Sequence, residues 1–447
     1  MSEDVLIIGG GFAGLAAGVA LAEAGRRVRL LEQKPYLGGR ARSFQEAATG
    51  SMVDNGQHLF MGCYHATLKF LETIGTRERI NFQPQLRVQF IDPGRKVTEL
   101  RCPSLPSPWH VLSGVFLSNS FSFSEKLDVL RMGKALRAGK NSSESASLGN
   151  QLTVETWLQQ LGQSERLRRN FWDLICIAAM NEDPRIASAV LFERVLRRAL
   201  FTSPLDSRLG IPLKGLSECY TDAAAQTIRG RGGQVELRRD VRSFLITEGA
   251  CKGVRLADGT AIEADTVLSA VPWYVFTGLL PLGLVSSEPF FSRLLDLQPA
   301  PIISIYLWFD RPVTALDFAG LRGTTIQWLF NRGRLLGTGE NYVSLVLSGA
   351  HEHIARSKED LRDTALGDLA SLLPGVQDAK LLHSLVIKER FATFSPRVGV
   401  ESMRPSAGTP IRGLYLAGDW TDTGLPATIE GAVQSGYTAA QKILQQN

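Results

Sequence analysis

Short, wholly apolar runs alternate with longer amphipathic stretches along this chain, the pattern of buried strands and the helices that cover them. Val5–Ile8 is the first such run and reads as a buried parallel strand. Residues 15–24 then read as a helix, and 28–31 as a second buried strand. Helical spacing returns over 64–73, Phe123–Ala138 and 154–200, and the nearly all-apolar stretch 171–180 predicts a buried segment. Strand patterns follow at Gln234–Leu237, Val241–Thr247, 253–256 and 266–270, with Asp258-Gly259 as a hairpin turn. Residues 302–309 and 342–347 predict strands of another sheet, and 359–373 an amphipathic helix. A last buried strand falls at 414–417 and a last helix at 430–445. Serine-rich 141–150 reads as a surface loop or linker.

The turn after the first strand carries Gly9-x-Gly11-x-x-Gly14. The three glycines have separate tasks: a tight turn at Gly9, close approach of a pyrophosphate at Gly11, and close helix–strand packing at Gly14. Phe12 and Ala13 belong to the same phosphate-facing turn, where a helix N-terminus offers free N–H groups and a positive dipole end. Glu32 follows Gly14 by 18 residues, at the end of the second strand. A carboxylate there accepts hydrogen bonds from an adenosine ribose. Strand, glycine turn, helix, strand and acid in this order predict a dinucleotide site.

Composition narrows the partners. The net charge of +5 is spread along the chain without a basic run, so nucleic-acid binding is not expected. Five cysteines, Cys63, Cys102, Cys176, Cys219 and Cys251, are far apart and form no C-x-x-C pair. This argues against a disulfide framework and fits a cytoplasmic, reducing setting. No His, Cys and carboxylate cluster has metal spacing, so no metal is expected; His351 and His353 read as surface residues. The uncharged stretches 102–124 and 266–287 are broken by prolines and do not read as membrane spans. The first strand begins within five residues of Met1, which leaves no room for a signal peptide.

Two further motifs join the first. Gly38-Gly39-Arg40 follows Glu32 closely and suggests a second approach of backbone to cofactor. Near the other end, the buried strand runs into Gly418-Asp419, and a helix begins about Thr428 and Ile429. An aspartate at a strand's C-terminal end can bind cofactor hydroxyls, and the helix N-terminus can face an electron-rich ring. Together the three motifs resemble the FAD-dependent amine oxidase and phytoene desaturase superfamily. The stretches 233–241 and 264–272 fit it too, and the resemblance implies that backbone near Val241 contacts the adenine. It also implies FAD as cofactor and a mixed α/β fold: a Rossmann-type FAD-binding domain with an inserted substrate domain. The expected division is 1–60, 211–274 and 401–447 for FAD, and 61–210 and 275–400 for substrate.

A narrower resemblance rests on Val53-Asp54-Asn55-Gly56-Gln57-His58-Leu59-Phe60, on Asn181-Glu182-Asp183-Pro184, and on the segment 418–430. These are similar to the squalene-associated FAD-dependent desaturases, the hydroxysqualene dehydroxylases of hopanoid synthesis. That implies a C30 isoprenoid lipid as substrate and an external electron donor for FAD. Loss of an allylic hydroxyl needs a proton donor, and His58, Asp54 and Glu182 are the candidates. Phe171, Trp172, Leu174, Ile175, Ile177, Met180, Trp273, Phe276, Ile305, Leu307, Trp308 and Trp328 are candidates for an apolar channel. A carotenoid-type desaturase or isomerase, running hydride the other way, and a non-catalytic flavoprotein are the alternatives. An amine oxidase is disfavoured, since Trp420 has no second aromatic beside it. A lipid substrate also implies contact with a membrane surface. Trp109, Val111, Leu112, Val115, Phe116, Leu117, Phe121 and Phe123, followed by Lys126, Arg131, Lys134, Arg137 and Lys140, are the expected peripheral patch.

Overall fold

The computed structural model describes residues 5–138 and 151–446. The expected linker 141–150 and Lys140 lie outside these residues.

Five parallel strands from three distant parts of the chain form one sheet. Their order is Gln234–Leu237, Val28–Glu32, Val5–Ile8, Thr266–Ser269, Leu414–Leu416. Helices cover the sheet, which explains why its strands read as unbroken apolar runs. The first helix, Phe12–Glu23, starts three residues earlier than the pattern suggested, directly at the glycine turn. It crosses the last helix, Ile429–Leu444, at very close range. A Cβ on Gly436 would sit 2.4 Å from the Ala13 carbonyl oxygen, so only glycine allows this crossing.

A three-stranded antiparallel sheet, Val241–Thr247, Ala250–Leu256 and Ala261–Glu263, projects beside it. Gly259 makes the expected second turn with φ +86°. The first turn uses Glu248 and Gly249, both left-handed at φ +49° and +70°, as a two-residue hairpin demands.

The second large sheet has seven strands, in the order Leu381–Phe394, Pro299–Phe309, Tyr342–Ser348, Trp328–Asn331, Phe318–Leu321, Arg87–Asp92, Lys96–Arg101. The two expected strands are neighbours in it, second and third from one edge. Helix Lys358–Leu372 covers one face, over a core that includes Ile303, Ile305, Leu307 and Leu345. Strand alternation turns Ser304, Tyr306 and Trp308 to the other face. Ile305 and Leu307 therefore belong to the core under the helix and cannot line the channel proposed for them.

The helical region 154–200 is broken into pieces. Val154–Gln160 ends early, and a run from Glu165 to Met180 passes through a π turn at Arg168–Trp172. Asn181, left-handed at φ +53°, stops it, and Ala189–Leu200 follows. In the stretch 171–180, Phe171, Trp172, Leu174, Cys176 and Met180 are buried, while Ala178 faces out. All five cysteines are free and buried. Among the described residues no helix is long and apolar enough to cross a membrane, and no cluster of metal-ligating side chains occurs.

Candidate active site

The glycine turn ends where the sheet strands end. Gly9, at φ +104°, could not carry a side chain: a Cβ would lie 2.9 Å from the Ala270 carbonyl oxygen. At Gly14 a Cβ would collide with the Gly9 carbonyl at 2.0 Å, which fixes the helix against the turn. Gly11 differs, since a Cβ there would meet nothing within 4 Å. Gly39, at φ +56°, lies beside Gly11: a Cβ on it would sit 3.5 Å from the Gly11 Cα. The two glycines leave room for a pyrophosphate at the N-terminus of Phe12–Glu23, where Gly11 caps the helix without a side chain.

Glu32 is nearly buried and holds this corner together. Its carboxylate accepts from the Gly10 N–H and the Lys34 N–H, both at 2.8 Å, and each oxygen keeps a lone pair for a ribose hydroxyl. The Arg239 N–H donates to the Glu32 carbonyl at 2.9 Å, which brings the start of strand Val241–Thr247 beside the same corner.

The other two motifs meet through an ion pair. Arg40 donates to Asp419 Oδ1 at 2.7 Å and to the Ala392 carbonyl at 2.6 Å. Burial works against the Arg40 charge, but Asp419, together with Tyr274 and Glu389, outweighs it and the pKa rises. One side chain thus ties the glycine-arginine turn, the Gly-Asp segment and the edge of the seven-stranded sheet. Thr428 caps the last helix by accepting from the Gly431 N–H at 3.0 Å, so Ile429 opens that helix with its first-turn N–H groups directed out of it.

Two supports escaped the sequence reading. Tyr220 stacks on Phe12 with ring centroids 3.7 Å apart, and its hydroxyl reaches the Gly38 and Ala41 carbonyls at 2.9 and 2.8 Å. Arg404 is buried within the loop after Asp419. It donates to the carbonyls of Leu425 at 2.8 Å, Asp419 at 3.1 Å and Thr421, and to Thr423 Oγ1 at 2.8 Å. Burial lowers its pKa to about 10. Neither lies in a glycine motif; only their burial, seen in three dimensions, marks them.

The three candidate proton donors separate clearly. Asp54 is buried, with Oδ1 accepting from the Ser43 hydroxyl at 2.6 Å and the Leu216 N–H at 3.0 Å. Its Oδ2 lies 2.8 Å from Nη2 of Arg332, which is itself fully buried. Glu182 is also buried: Oε1 pairs with His351 Nε2 at 2.9 Å and accepts from the Asp183 N–H at 3.0 Å, and Oε2 accepts from Ser395. Both carboxylates are consumed by structure, which removes the geometric basis for the roles the sequence suggested. His351 is exposed, as expected, and from the surface it pairs with Glu182.

His58 alone is half-buried and without a side-chain hydrogen bond among the described residues. Its ring and Ser304 Oγ both border the space at Gly56. Burial lowers its pKa, the Arg40 charge adds to that effect, and Asp54 opposes it. Half-buried Leu59, Leu209, Ile211, Ile302 and Trp328 form an apolar wall on the same face of the seven-stranded sheet. Of these, only Trp328 was expected. Leu209 and Ile211 come from the short strand Leu209–Pro212, Ile302 from the long strand Pro299–Phe309, and Leu59 from the loop before Phe60–Met61.

Comparison with known proteins identifies the family. The family model of flavin containing amine oxidoreductases matches residues 12–444. A hydroxysqualene dehydroxylase of Zymomonas mobilis is 30% identical over 98% of both chains. The chloroplastic/chromoplastic 15-cis-phytoene desaturase of Solanum lycopersicum is 27% identical over 99% of this chain and 78% of its own. An oxidoreductase structure from Methanosarcina mazei superposes with a TM-score of 0.76 at 18% identity, over 99% of this chain and 100% of that one. The chain belongs to the flavin containing amine oxidoreductase family and is an FAD-dependent oxidoreductase.

Proposed function

We propose that the protein removes the allylic hydroxyl of hydroxysqualene reductively, giving squalene for hopanoid synthesis. The end-to-end match to a hydroxysqualene dehydroxylase carries the reading. When bound, reduced FAD supplies the hydride. Gly9, Gly11, Phe12, Ala13, Gly14 and Gly39 hold the pyrophosphate, Glu32 the ribose and the backbone at Val241 the adenine. Arg40, Asp419, Thr428 and Ile429 hold the flavin end. The FAD-binding part is taken as 1–60, 211–274 and 401–447, and the substrate-binding part as 61–210 and 275–400; the strand order of the two large sheets supports that division.

His58 protonates the departing oxygen. The carbon–oxygen bond breaks, water leaves, and the allylic cation takes up hydride. A lowered imidazole pKa makes the imidazolium scarcer but a stronger acid. The apolar wall of Leu59, Ile211, Ile302 and Trp328 keeps water from the cation. An external donor has to reduce FAD between turnovers. The substrate is a C30 lipid, so the protein works peripherally at the inner face of the cytoplasmic membrane.

The test is direct. Purified protein, photochemically reduced FAD and hydroxysqualene should yield squalene. The match to a phytoene desaturase supports a second reading, a polyene desaturase. Incubation with phytoene or squalene under air tests it; dehydrogenated product there, with no squalene in the first arm, would reverse the assignment.

A further inference from the structure

Two neighbouring helices, Trp109–Leu117 and Phe123–Ala138, carry an unusual outer surface. On the second helix, Phe123, Leu127 and Leu130 are 72%, 41% and 37% exposed. Lys134 and Arg137 continue the same line and are exposed. Spacings of four, three, four and three residues put all five within one narrow arc of the helix. The face is apolar along its first two turns and basic along its last two. Single exposed apolar residues need no explanation, whereas a contiguous stripe does.

The acids of this helix are turned inward. Glu125 is buried, accepts from the Ser122 N–H at 2.7 Å and pairs with Arg166. Asp128 is buried and pairs with Arg131 at 2.7 Å. The outer arc therefore holds no negative charge. Lys126 and Arg131 serve the fold instead: Lys126 donates to the Phe116 carbonyl at 2.7 Å, and Arg131 binds Asp128.

The first helix extends the surface. Trp109 and Leu117 are 57% and 71% exposed, and Phe116 is exposed beside them. The Lys126 bond to Phe116 holds the end of this helix against the start of the next. Leu117 also walls a groove of about 410 Å³ together with Val97 and Lys96. Val115 and Phe121, expected in the patch, are buried in the core and drop out of it.

We propose that this two-helix face docks on an anionic lipid bilayer. Trp109, Phe116, Leu117, Phe123, Leu127 and Leu130 enter the interface, and Lys134 and Arg137 meet the headgroups. Segregation of apolar and basic groups on one face, with the acids withdrawn, favours a lipid surface over a second copy of this chain. Such an arrangement gives interfacial binding by buried apolar area plus electrostatic attraction. The proposal deepens the lipid-substrate reading, but flotation needs no substrate, so each can fail alone.

Flotation of the FAD-bound protein with phosphatidylglycerol-containing vesicles tests it. Wild type should float, and vesicles of phosphatidylcholine alone should carry much less. A Leu117→Ser/Phe123→Ser/Leu127→Ser/Leu130→Ser variant should stay at the bottom. Its changes are all at exposed positions, so flavin absorbance and melting should be kept. A Lys134→Glu/Arg137→Glu variant should lose binding to anionic vesicles by at least roughly tenfold and lose its salt sensitivity. Equal flotation of both variants and wild type would overturn the proposal. So would a wild type that never floats but sediments as a dimer that the serine variant disrupts.

Discussion

Replacing Asp54 by Ala distinguishes an anchor from an acid. The change leaves the Arg332 guanidinium fully buried without its carboxylate 2.8 Å away. Breaking a buried ion pair from one side costs about 3–5 kcal/mol. The Leu216 N–H and the Ser43 hydroxyl also lose their acceptor, adding on the order of 1 kcal/mol, although Ser43 still accepts from the Ser217 N–H. A loss of about 4–6 kcal/mol would remove much of a typical folding free energy of about 5–15 kcal/mol. The damage should spread to the loop carrying His58, because the Tyr306 hydroxyl donates to the Asp54 carbonyl at 2.8 Å. Urea unfolding of the FAD-bound protein, followed by flavin and tryptophan fluorescence, measures the loss. Asp54→Ala combined with Arg332→Met removes both charges and should recover most of it. If Asp54→Ala instead unfolds within about 1 kcal/mol of wild type while turnover falls a hundredfold or more, Asp54 is the proton donor and the anchoring argument is wrong.

Three other expectations can be checked alongside. His58→Asn should keep FAD and fold but slow squalene formation by about a hundredfold. Since the wild-type imidazole titrates below its ordinary 6.5, wild-type turnover should climb as pH falls through that lower range, and the variant should lack this limb. The same shift has a stability sign: the unfolded chain binds the proton more readily, so stability present above pH 6.5 is lost as pH falls below it. Gly11→Val should yield a folded but colourless protein, since its side chain enters the open space beside Gly11 that the pyrophosphate needs; a normal yellow preparation would count against the cradle. Arg404→Leu removes four hydrogen bonds from the loop after Asp419 and should weaken FAD binding at least about tenfold by fluorescence titration, with Arg404→Lys intermediate.

The parallel sheet was legible because its strands are buried on both faces and so read as apolar runs. Val5–Ile8, Val28–Glu32, Thr266–Ser269 and Leu414–Leu416 needed only that signal and their glycine turns. Strand Leu381–Phe394 gave no such signal. It lies at the edge of its sheet, where Lys388, Glu389 and Arg390 are tolerated and even protective, and they interrupt the pattern. The same contrast governs the site. Glycines that approach a cofactor are marked by their spacing, since no other residue fits at Gly9 or Gly14.

Proton donors are harder to find because a carboxylate in sequence has no address. Asp54, Glu182 and Glu430 look alike on paper. In the fold Asp54 meets Arg332, and Glu182 meets His351 and Ser395. Glu430 accepts from the Ala66 and Thr67 N–H groups at 3.1 and 2.9 Å and pairs with Arg198. A buried carboxylate whose oxygens are all engaged by donors is fixed in place and turned away from any substrate, which suits an anchor. His58 differs: among the described residues its ring makes no hydrogen bond, and it lies at the edge of an apolar wall. That vacancy in the hydrogen-bond network, rather than residue type, is what singles it out, and it became visible only when Ser304, Ile302 and Trp328 arrived from chain positions more than two hundred residues away.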